Sequence, residues 1–295
     1  MTHSINYSDS VSVCKTLLSA AKLLHANTSR RGCTHHIPSS GTVWVSGDLH
    51  DNPFNLSKII RAADLLTSSN HLVLQEIIHP PSETGRLDLS FRMLVRVASL
   101  VISYPEQVHP ILANHELSQA TNRLITKGGS ELVGKFLSGV EHVFAKNAPK
   151  VIEAINTFIF AMPLAVQSES GLMCCHSLPN DDDMEQFDTN ILHRELTKKD
   201  TINRDGSAYM LVWGRRQSDK QINILAQAWG VKLFCLGHAW VPEGIKMASE
   251  KVLLLNSDHA NGVVMPIDLS EIKNAGTTMQ SAIKLSSIAM DINDG

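Results

Sequence analysis

Strand-like apolar runs alternate with helix-like patterns through the first 120 residues, and this alternation constrains the fold more than any other feature. TVWVSGD (42–48) precedes the helical pattern FNLSKIIRAADLLT (54–67), HLVLQE (71–76) precedes LDLSFRMLVRVASLVIS (87–103), and VHPILANHE (108–116) follows. Such alternation is typical of βαβ units, in which helices cover a sheet of neighbouring strands. We therefore expect an α/β chain.

The second half changes to short strands that are close together in sequence. LAVQSE (164–169) and GLMCCHS (171–177) predict a hairpin. Four later runs favour antiparallel pairing with one another: VKLFCLGH, IKMAS, KVLLLNSD and GVVMPIDL. Together with the first half, they predict a two-sheet β-sandwich flanked by helices, an α/β (α+β) fold.

The chain divides into three predicted segments. They are an N-terminal helical extension (1–42), a main domain (43–270) and a polar C-terminal tail (271–295). In the extension, SVCKTLLSAAKLLHA is interpreted as a core-facing amphipathic helix rather than a transit peptide. Within the main domain, 122–160 is expected to be a helical insert or lid, broken near two glycines and a proline: Gly128, Gly129 and Pro149.

Composition argues against several classes of function. The formal net charge is −3 and no basic block is present, so we expect no nucleic-acid partner. No apolar run approaches the length that crosses a bilayer, and we expect no membrane partner. The five cysteines include no CxxC pair, which argues against a disulfide framework or a structural zinc site. Since the N-terminus lacks a secretory pattern, we expect a cytoplasmic protein.

Polar residues with ligand chemistry recur at the ends of the apolar strands. Four of the fourteen histidines lie there, as do two acids and one amide: His50, His115, His176, His238, Asp48, Glu76 and Asn114. Ligands of open α/β sheets bind outside the carboxyl ends of the strands. A single such histidine is more often a hydrogen-bonded core or surface residue, so the hypothesis depends on the whole set. Imidazoles and carboxylates without thiolates suit manganese, iron or zinc.

The spacing of Asp48, His50 and Glu76 supports one shared site. Asp48 and His50 are two residues apart on a segment that we expect to be extended, so both side chains can point the same way. Twenty-eight positions separate Asp48 from Glu76, which fits one strand–helix–strand unit of about 30 residues. The two strand ends should therefore lie side by side.

Four blocks carry a specific resemblance: GDLHDN (47–52), ILANHELS (111–118), MCCHSLPND (173–181) and LGHAWVPEG (236–244). They resemble the GDxH, GNHE, HG and GH blocks of calcineurin-like metallophosphoesterases. Their order is most similar to the PPP-family serine/threonine phosphatases, as a divergent bacterial-type member. The similarity runs from about residue 43 to 265. It implies a two-sheet sandwich with a two-metal site at the strand ends.

The resemblance also implies a role for each block. Asp48 and His50 would hold the first metal ion, Glu76 would bridge two ions, and three residues would hold the second: Asn114, His176 and His238. His115 would be the catalytic histidine that protonates the leaving oxygen. Arg215 or Arg216 would grip the phosphate, with a solvated surface pair as the competing interpretation. The implied cofactors are two divalent or transition-metal ions (Mn, Fe or Zn), and the implied partner is a phosphoprotein or a small phosphoester.

One block departs from the family pattern. Where the family has GDxxDRG, this chain has QEIIHPP (75–81). Glu76 stands in place of the bridging aspartate and can still bridge, since it has the same carboxylate on one more methylene. His79 and Pro80 stand where the family has the aspartate that orients the catalytic histidine and its arginine. Another acid could take the orienting role, and the candidates are Asp51, Glu83 and Glu116. Two alternatives remain for His79: it is itself part of the site, or it is a hydrogen-bonded loop histidine without a role there.

Three functions therefore compete. The leading one is a two-metal phosphomonoesterase similar to the serine/threonine phosphatases. The altered QEIIHPP block motivates the second, a non-catalytic protein that binds metal and phosphate. The third is hydrolysis of a phosphodiester or a dinucleoside polyphosphate, and it ranks lower because the sequence offers no recognisable base-stacking platform.

Overall fold

A computed structural model describes residues 5–80, 87–123, 126–127, 130–202 and 204–290. Two mixed sheets pack together with helices outside them, so the predicted two-sheet α/β fold is confirmed. In the described part of the chain the α-helices are α1 (Ser10–Ala26), α2 (Pro53–Ala63), α3 (Phe91–Ser103), α4 (Asn114–Ala120), α5 (Leu132–Phe144), α6 (Ala148–Ala161), α7 (Ser207–Trp213), α8 (Asp219–Trp229) and α9 (Ala275–Thr278). The strands are β1 (Arg30–Arg31), β2 (Thr34–Ile37), β3 (Thr42–Asp48), β4 (Asn70–Gln75), β5 (Val108–Pro110), β6 (Thr126–Lys127), β7 (Ser130–Glu131), β8 (Ala165–Ser168), β9 (Leu172–Cys175), β10 (Leu233–Leu236), β11 (Ile245–Ser249), β12 (Val252–Leu255), β13 (Val263–Asp268) and β14 (Ile283–Lys284).

The larger sheet has the strand order β1-β2-β8-β9-β10-β12-β11, and the smaller has β14-β13-β3-β4-β5. Strands β3, β4 and β5 are parallel neighbours, as the strand–helix alternation predicts. Strands β8 and β9 form the predicted antiparallel hairpin. The carboxyl ends of β3, β4 and β5 therefore lie along one edge of the smaller sheet.

The expected antiparallel arrangement of the last four strands was wrong in part. Strand β10 pairs in parallel with both β9 and β12, and only β11 and β12 are antiparallel neighbours. Strand β13 lies in the other sheet, antiparallel to β3. Closeness in sequence does not fix which neighbour a strand takes. Here β12 runs beside β10 and directs its end, at Asn256, against Asp48.

The core between the sheets explains the register of β3. Val43 and Val45 are fully buried in the apolar cluster that both sheets share, whereas Trp44 packs against the cluster on the helix-covered side. Burying a valine side chain stabilises a fold by about 1.5–3 kcal/mol. A shift of one residue would exchange the two faces, so this pattern specifies the register that places Asp48 at the strand end.

The helical region before β8 differs from one long helix. It contains a short antiparallel strand pair, β6 and β7, followed by α5 and α6 with a 3₁₀ turn between them (Ala145–Asn147). Pro149 lies in the first turn of α6, where proline is tolerated, and the expected break at Gly128 and Gly129 lies outside the described residues. Helix α6 packs against α1, α4 and α5.

The predicted extension and tail both contribute to the sandwich. Helix α1 is capped by Asp9 and buries Val13 and Leu17 in the core, as its amphipathic pattern predicts. From the C-terminal segment, β14 pairs with β13 and Leu285 is buried. Among the described residues, none of the helices has the length and apolar character to cross a membrane.

Candidate metal centre

The candidate residues follow strand ends of both sheets. Asp48 ends β3, Glu76 follows β4, and Asn114 begins α4 just after β5. His176 follows β9 and His238 follows the parallel neighbour β10. The two sheets meet here, since the backbone N of Ser257 donates to the carbonyl O of Asp48 at 2.9 Å. All six proposed metal ligands are at most 8% exposed.

The loops that carry these residues have an unusual backbone. Of the nine described non-glycine residues with positive φ, five lie in these loops: His50, Asp51, Glu76, His79 and His238. Each such conformation costs on the order of 1 kcal/mol and persists only where the surroundings impose it. The expectation that Asp48 and His50 share an extended segment was therefore wrong, because the chain turns at His50 (φ 43°).

One group of ligand atoms converges around the side chain of Asn114. Its Oδ1 lies 2.6 Å from Nε2 of His176 and 2.9 Å from Nδ1 of His238. The Nε2 of His176 also lies 3.2 Å from Oε2 of Glu76. One amide, two imidazoles and one carboxylate thus share a single buried space.

A second group lies on the other side of Glu76. His50, Glu76 and His115 bring one ligand atom each to within 4.8 Å of one another, as do Glu76, His176 and His238 in the first group. The Oε1 of Glu76 lies 3.4 Å from Nε2 of His115. Glu76 is therefore common to both groups.

The carboxylate of Asp48 lies closer to the first group than the sequence suggested. Its Oδ1 accepts a hydrogen bond from the backbone N of His238 at 3.0 Å and lies 3.8 Å from Nδ1 of His176. Its Oδ2 lies 3.4 Å from Nδ2 of Asn256. Asp48 thus lies between His176 and the loop that carries His238.

These residues fit metal ions in three respects. Nitrogen and oxygen donors without thiolates suit manganese, iron and zinc. Bonds of about 2.0–2.2 Å to one ion place neighbouring ligand atoms about 3–3.5 Å apart, close to the 2.9 Å between Asn114 and His238 and the 3.2 Å between His176 and Glu76. Finally, the backbone at Gly237 approaches so closely that a Cβ would lie 2.2 Å from Oδ1 of Asp48.

Burial disfavours the charged forms of the ionisable groups in this site. It raises the pKa of Asp48 well above its usual value, and the nearby Glu76 carboxylate raises it further. Burial also lowers the pKa of His176, and it lowers that of His238 well below its usual value, where His176 adds repulsion. A bound cation favours the ionised carboxylate and would offset the cost of burying it, while the neutral imidazoles that burial favours are the form that binds a metal ion.

Two supporting residues were missed from the sequence. Gln75 is fully buried, and its Oε1 lies 3.1 Å from Nδ1 of His176 while its Nε2 donates to the carbonyl O of Ser46 at 2.9 Å. Gln119 lies 3.2 Å from Nε2 of His79 through its Oε1. The only signal for Gln119 was its spacing, four residues after His115 on a helix, which puts both side chains on one face.

His79 occupies the place of the expected orienting acid. Its Nδ1 lies 3.2 Å from Nδ1 of His115. Glu116 instead accepts hydrogen bonds from the backbone N of Ile77 and of Ile78, and burial raises its pKa. The carboxyl of Asp51 has a pKa raised to about 7 by burial and by Asp88. The third candidate, Glu83, lies outside the described residues.

The two candidate arginines differ in position. Arg215 donates from Nη1 to the carbonyl O of His238 at 2.8 Å, so its guanidinium reaches the loop of that ligand. Both arginines are exposed, and the backbone N of Arg216 donates to Oδ1 of Asn180 at 3.0 Å. Of the two arginines, only Arg215 therefore has a side-chain hydrogen bond to a candidate ligand residue, His238.

Comparisons with known proteins establish the fold. No family model matches the chain, and no curated protein matches its sequence. A protein serine/threonine phosphatase from Saccharomyces cerevisiae, with similarity to human phosphatase PP5, has a similar structure at a TM-score of 0.67 and 13% identity, over 88% of this chain and 83% of that one. A cold-active protein-tyrosine phosphatase from a psychrophilic Shewanella species matches at a TM-score of 0.58 and 13% identity, over 85% and 82%. The chain thus shares its fold with phosphatases.

Proposed function

We propose that this protein is a metal-dependent phosphoester hydrolase that acts on phosphomonoesters. One observation carries the proposal: the buried carboxylate of Glu76 faces His115 through Oε1 at 3.4 Å and His176 through Oε2 at 3.2 Å. A carboxylate shared by two groups of nitrogen and oxygen ligands is what a pair of metal ions requires. The phosphatase fold of the similar structures supports the same conclusion.

The proposed ligands are the six residues predicted from the strand ends: Asp48, His50, Glu76, Asn114, His176 and His238. When bound, two metal ions neutralise phosphoryl oxygens and make a water molecule more acidic. The protein would supply orientation and proton transfer. Arg215, next to the His238 loop, would bind a phosphoryl oxygen, and the Nε2 of His115 would protonate the leaving oxygen.

The test is turnover of an aryl phosphate by the purified protein with manganese. Asp48→Asn and His115→Ala should each lower kcat by about 100-fold or more. Two exposed residues provide matched controls, Asp268→Asn and His142→Ala, which should leave kcat within twofold. Undiminished turnover in both site variants would show that Asp48 and His115 do not belong to an active site. A wild-type protein that binds metal without any turnover would instead support the non-catalytic alternative.

One observation favours phosphodiesters as a second candidate substrate. Trp240 is 70% exposed although it lies two residues after His238, and its ring centroid is 6.3 Å from that of His259. An exposed indole can stack on a base or another planar group. If diesters are the substrate, bis(4-nitrophenyl) phosphate should be cleaved faster than 4-nitrophenyl phosphate, and Trp240→Ala should raise KM for the diester alone.

A further inference from the structure

The proposed acid, His115, faces a second imidazole through its Nδ1 and the carboxylate of Glu76 through its Nε2. The two Nδ1 atoms of His79 and His115 are 3.2 Å apart, and the ring centroids are 5.0 Å apart. Both rings are buried, with 1% and 6% of their surface exposed. A hydrogen bond between two ring nitrogens needs one proton, so one ring donates and the other accepts.

The direction of this bond follows from Gln119. The Nε2 of His79 lies 3.2 Å from Oε1 of Gln119. An amide oxygen only accepts, so Nε2 of His79 carries the hydrogen, and a neutral His79 then has its lone pair at Nδ1. His115 must therefore donate from its own Nδ1. Its Nε2 faces Oε1 of Glu76 at 3.4 Å, on the side of the candidate metal centre.

We propose that His79, held by Gln119, is the positioning residue of His115: it accepts the Nδ1 hydrogen, so the proton that the imidazolium form of His115 gives to the leaving oxygen is the one on Nε2, and His115 is left neutral with its hydrogen on Nδ1. The tautomers follow from the hydrogen bonds between uncharged rings, while the positioning role rests on the proposed hydrolase function. Nothing in this arrangement needs a negative charge. A neutral imidazole and a neutral amide orient the ring by hydrogen bonds, where the family that the motifs resemble has an aspartate.

The surroundings hold His79 in place for this role. Its backbone is left-handed (φ 63°), and its N donates to Oγ of the fully buried Ser90 at 3.1 Å. Phe136 packs edge-on against its ring, with centroids 5.8 Å apart. Helix α4 supplies both His115 and Gln119, which are four residues apart and lie on one face.

The same helix also fixes the loop that carries His79. The Oε1 of Glu116 accepts hydrogen bonds from the backbone N of Ile77 at 2.7 Å and of Ile78 at 3.1 Å. Helix α4 therefore provides the proposed acid, His115, and Gln119, which orients His79. It also provides Glu116, which holds the loop that carries His79. This arrangement is preorganised, as the orientation of a catalytic group requires.

The direct test is ¹⁵N NMR of the histidine rings in metal-free protein at pH 8, which reads the tautomers without any assay of activity. His79→Asn and His115→Asn assign the signals. We expect His79 with its hydrogen on Nε2 and His115 with its hydrogen on Nδ1. The opposite tautomers in the wild-type protein would overturn the proposal, whether or not the protein is a hydrolase.

Two substitutions at Gln119 extend the test. Gln119→Met removes the acceptor at similar volume, whereas Gln119→Glu retains an oxygen that accepts from Nε2 of His79. The methionine variant should lose the single tautomer of His79, and the glutamate variant should keep it. Equal spectra in the two variants would show that Gln119 only fills space.

Kinetics separate positioning from packing. Phenyl phosphate, whose leaving group needs a proton more than that of 4-nitrophenyl phosphate, should lose about 10²-fold in kcat in His79→Ala, and the nitrophenyl ester should lose much less, with KM unchanged for both. Equal losses on the two esters would contradict the positioning role. A wild-type protein inactive on both esters would refute the hydrolase proposal. The ¹⁵N NMR spectra would then still decide whether the two tautomers are as proposed.

Discussion

Glu76 and His176 follow strands of different sheets, yet Oε2 of Glu76 lies 3.2 Å from Nε2 of His176. Neither sheet alone could form the candidate site, because the smaller sheet supplies Asp48, Glu76 and Asn114 while the larger supplies His176 and His238. The packing of the two sheets therefore sets the distances within the site. Substitutions that displace side chains where the two sheets meet should therefore lower the affinity for metal ions.

Gly237 provides the sharpest test of that packing. A Cβ at this position would lie 2.2 Å from Oδ1 of Asp48 and 2.7 Å from Oε1 of Gln75. Gly237→Ala should displace both side chains, lower metal affinity at least tenfold and cost about 1–3 kcal/mol of unfolding free energy. The matched control is Gly276→Ala, whose Cβ would meet its nearest neighbour, Sδ of Met247, at 3.5 Å. Unaltered metal affinity in the Gly237 variant, by calorimetric titration with manganese, would refute this reading.

Gln75 should matter for metal affinity although it is not a proposed ligand. Gln75→Met deprives Nδ1 of His176 and the carbonyl O of Ser46 of their partner. Groups that orient a ligand in this way are worth about 10- to 100-fold in affinity, and we expect a loss of that size in competition with a chelator. Gln167→Met removes a comparable bond, to the carbonyl O of Trp229, away from the site. Equal affinities in the two variants would contradict the role of Gln75.

Buried histidines outside the site should make the fold sensitive to acid. His35 and His109 are 3.1 Å apart through their Nδ1 atoms, and Nδ1 of His71 lies 3.2 Å from Nε2 of His109. Burial lowers the pKa of His35 from 6.5 to about 3, and it lowers that of His109 well below its usual value. The unfolded chain then binds more protons than the folded one, so stability is lost as the pH falls below about 6.5.

The acid sensitivity is measured by chemical denaturation in EDTA at pH 7.5 and 5.5, which excludes metal release as a cause. Each such histidine should cost roughly 1 kcal/mol over this interval. His35→Gln removes one titrating ring, so its free energy of unfolding should fall less on acidification than that of the wild type. An equal fall in the two proteins would exclude His35 as a source of the sensitivity.

The sequence predicted the elements and most of the strand-end residues, because both depend on local patterns. The parallel order of β3, β4 and β5 followed from the intervening helices. The strand-end positions of Asp48, Glu76 and His238 followed from the apolar runs before them. These patterns repeat every two or three to four residues and need no knowledge of distant contacts.

The features that were missed depend on contacts between distant residues. Gly237 is required because its backbone meets Asp48, 189 positions away in sequence. The left-handed turn at His50 follows from hydrogen bonds to the loop after β4, where its N donates to the carbonyl O of Glu76 at 2.9 Å. The parallel pairing of β10 with β12 likewise depends on the packing of the whole sheet. No periodicity in the chain encodes such relationships.

If two metal ions share Glu76, the metal content of the purified protein must show it. Elemental analysis after manganese loading and dialysis should find about two ions per chain in the wild-type protein. Glu76→Gln, which keeps the size of the side chain, should lower this to one or none. The matched variant Glu153→Gln, exposed on α6, should keep two. A wild-type protein without bound metal, or two ions in Glu76→Gln, would show that Glu76 does not bridge a pair of metal ions.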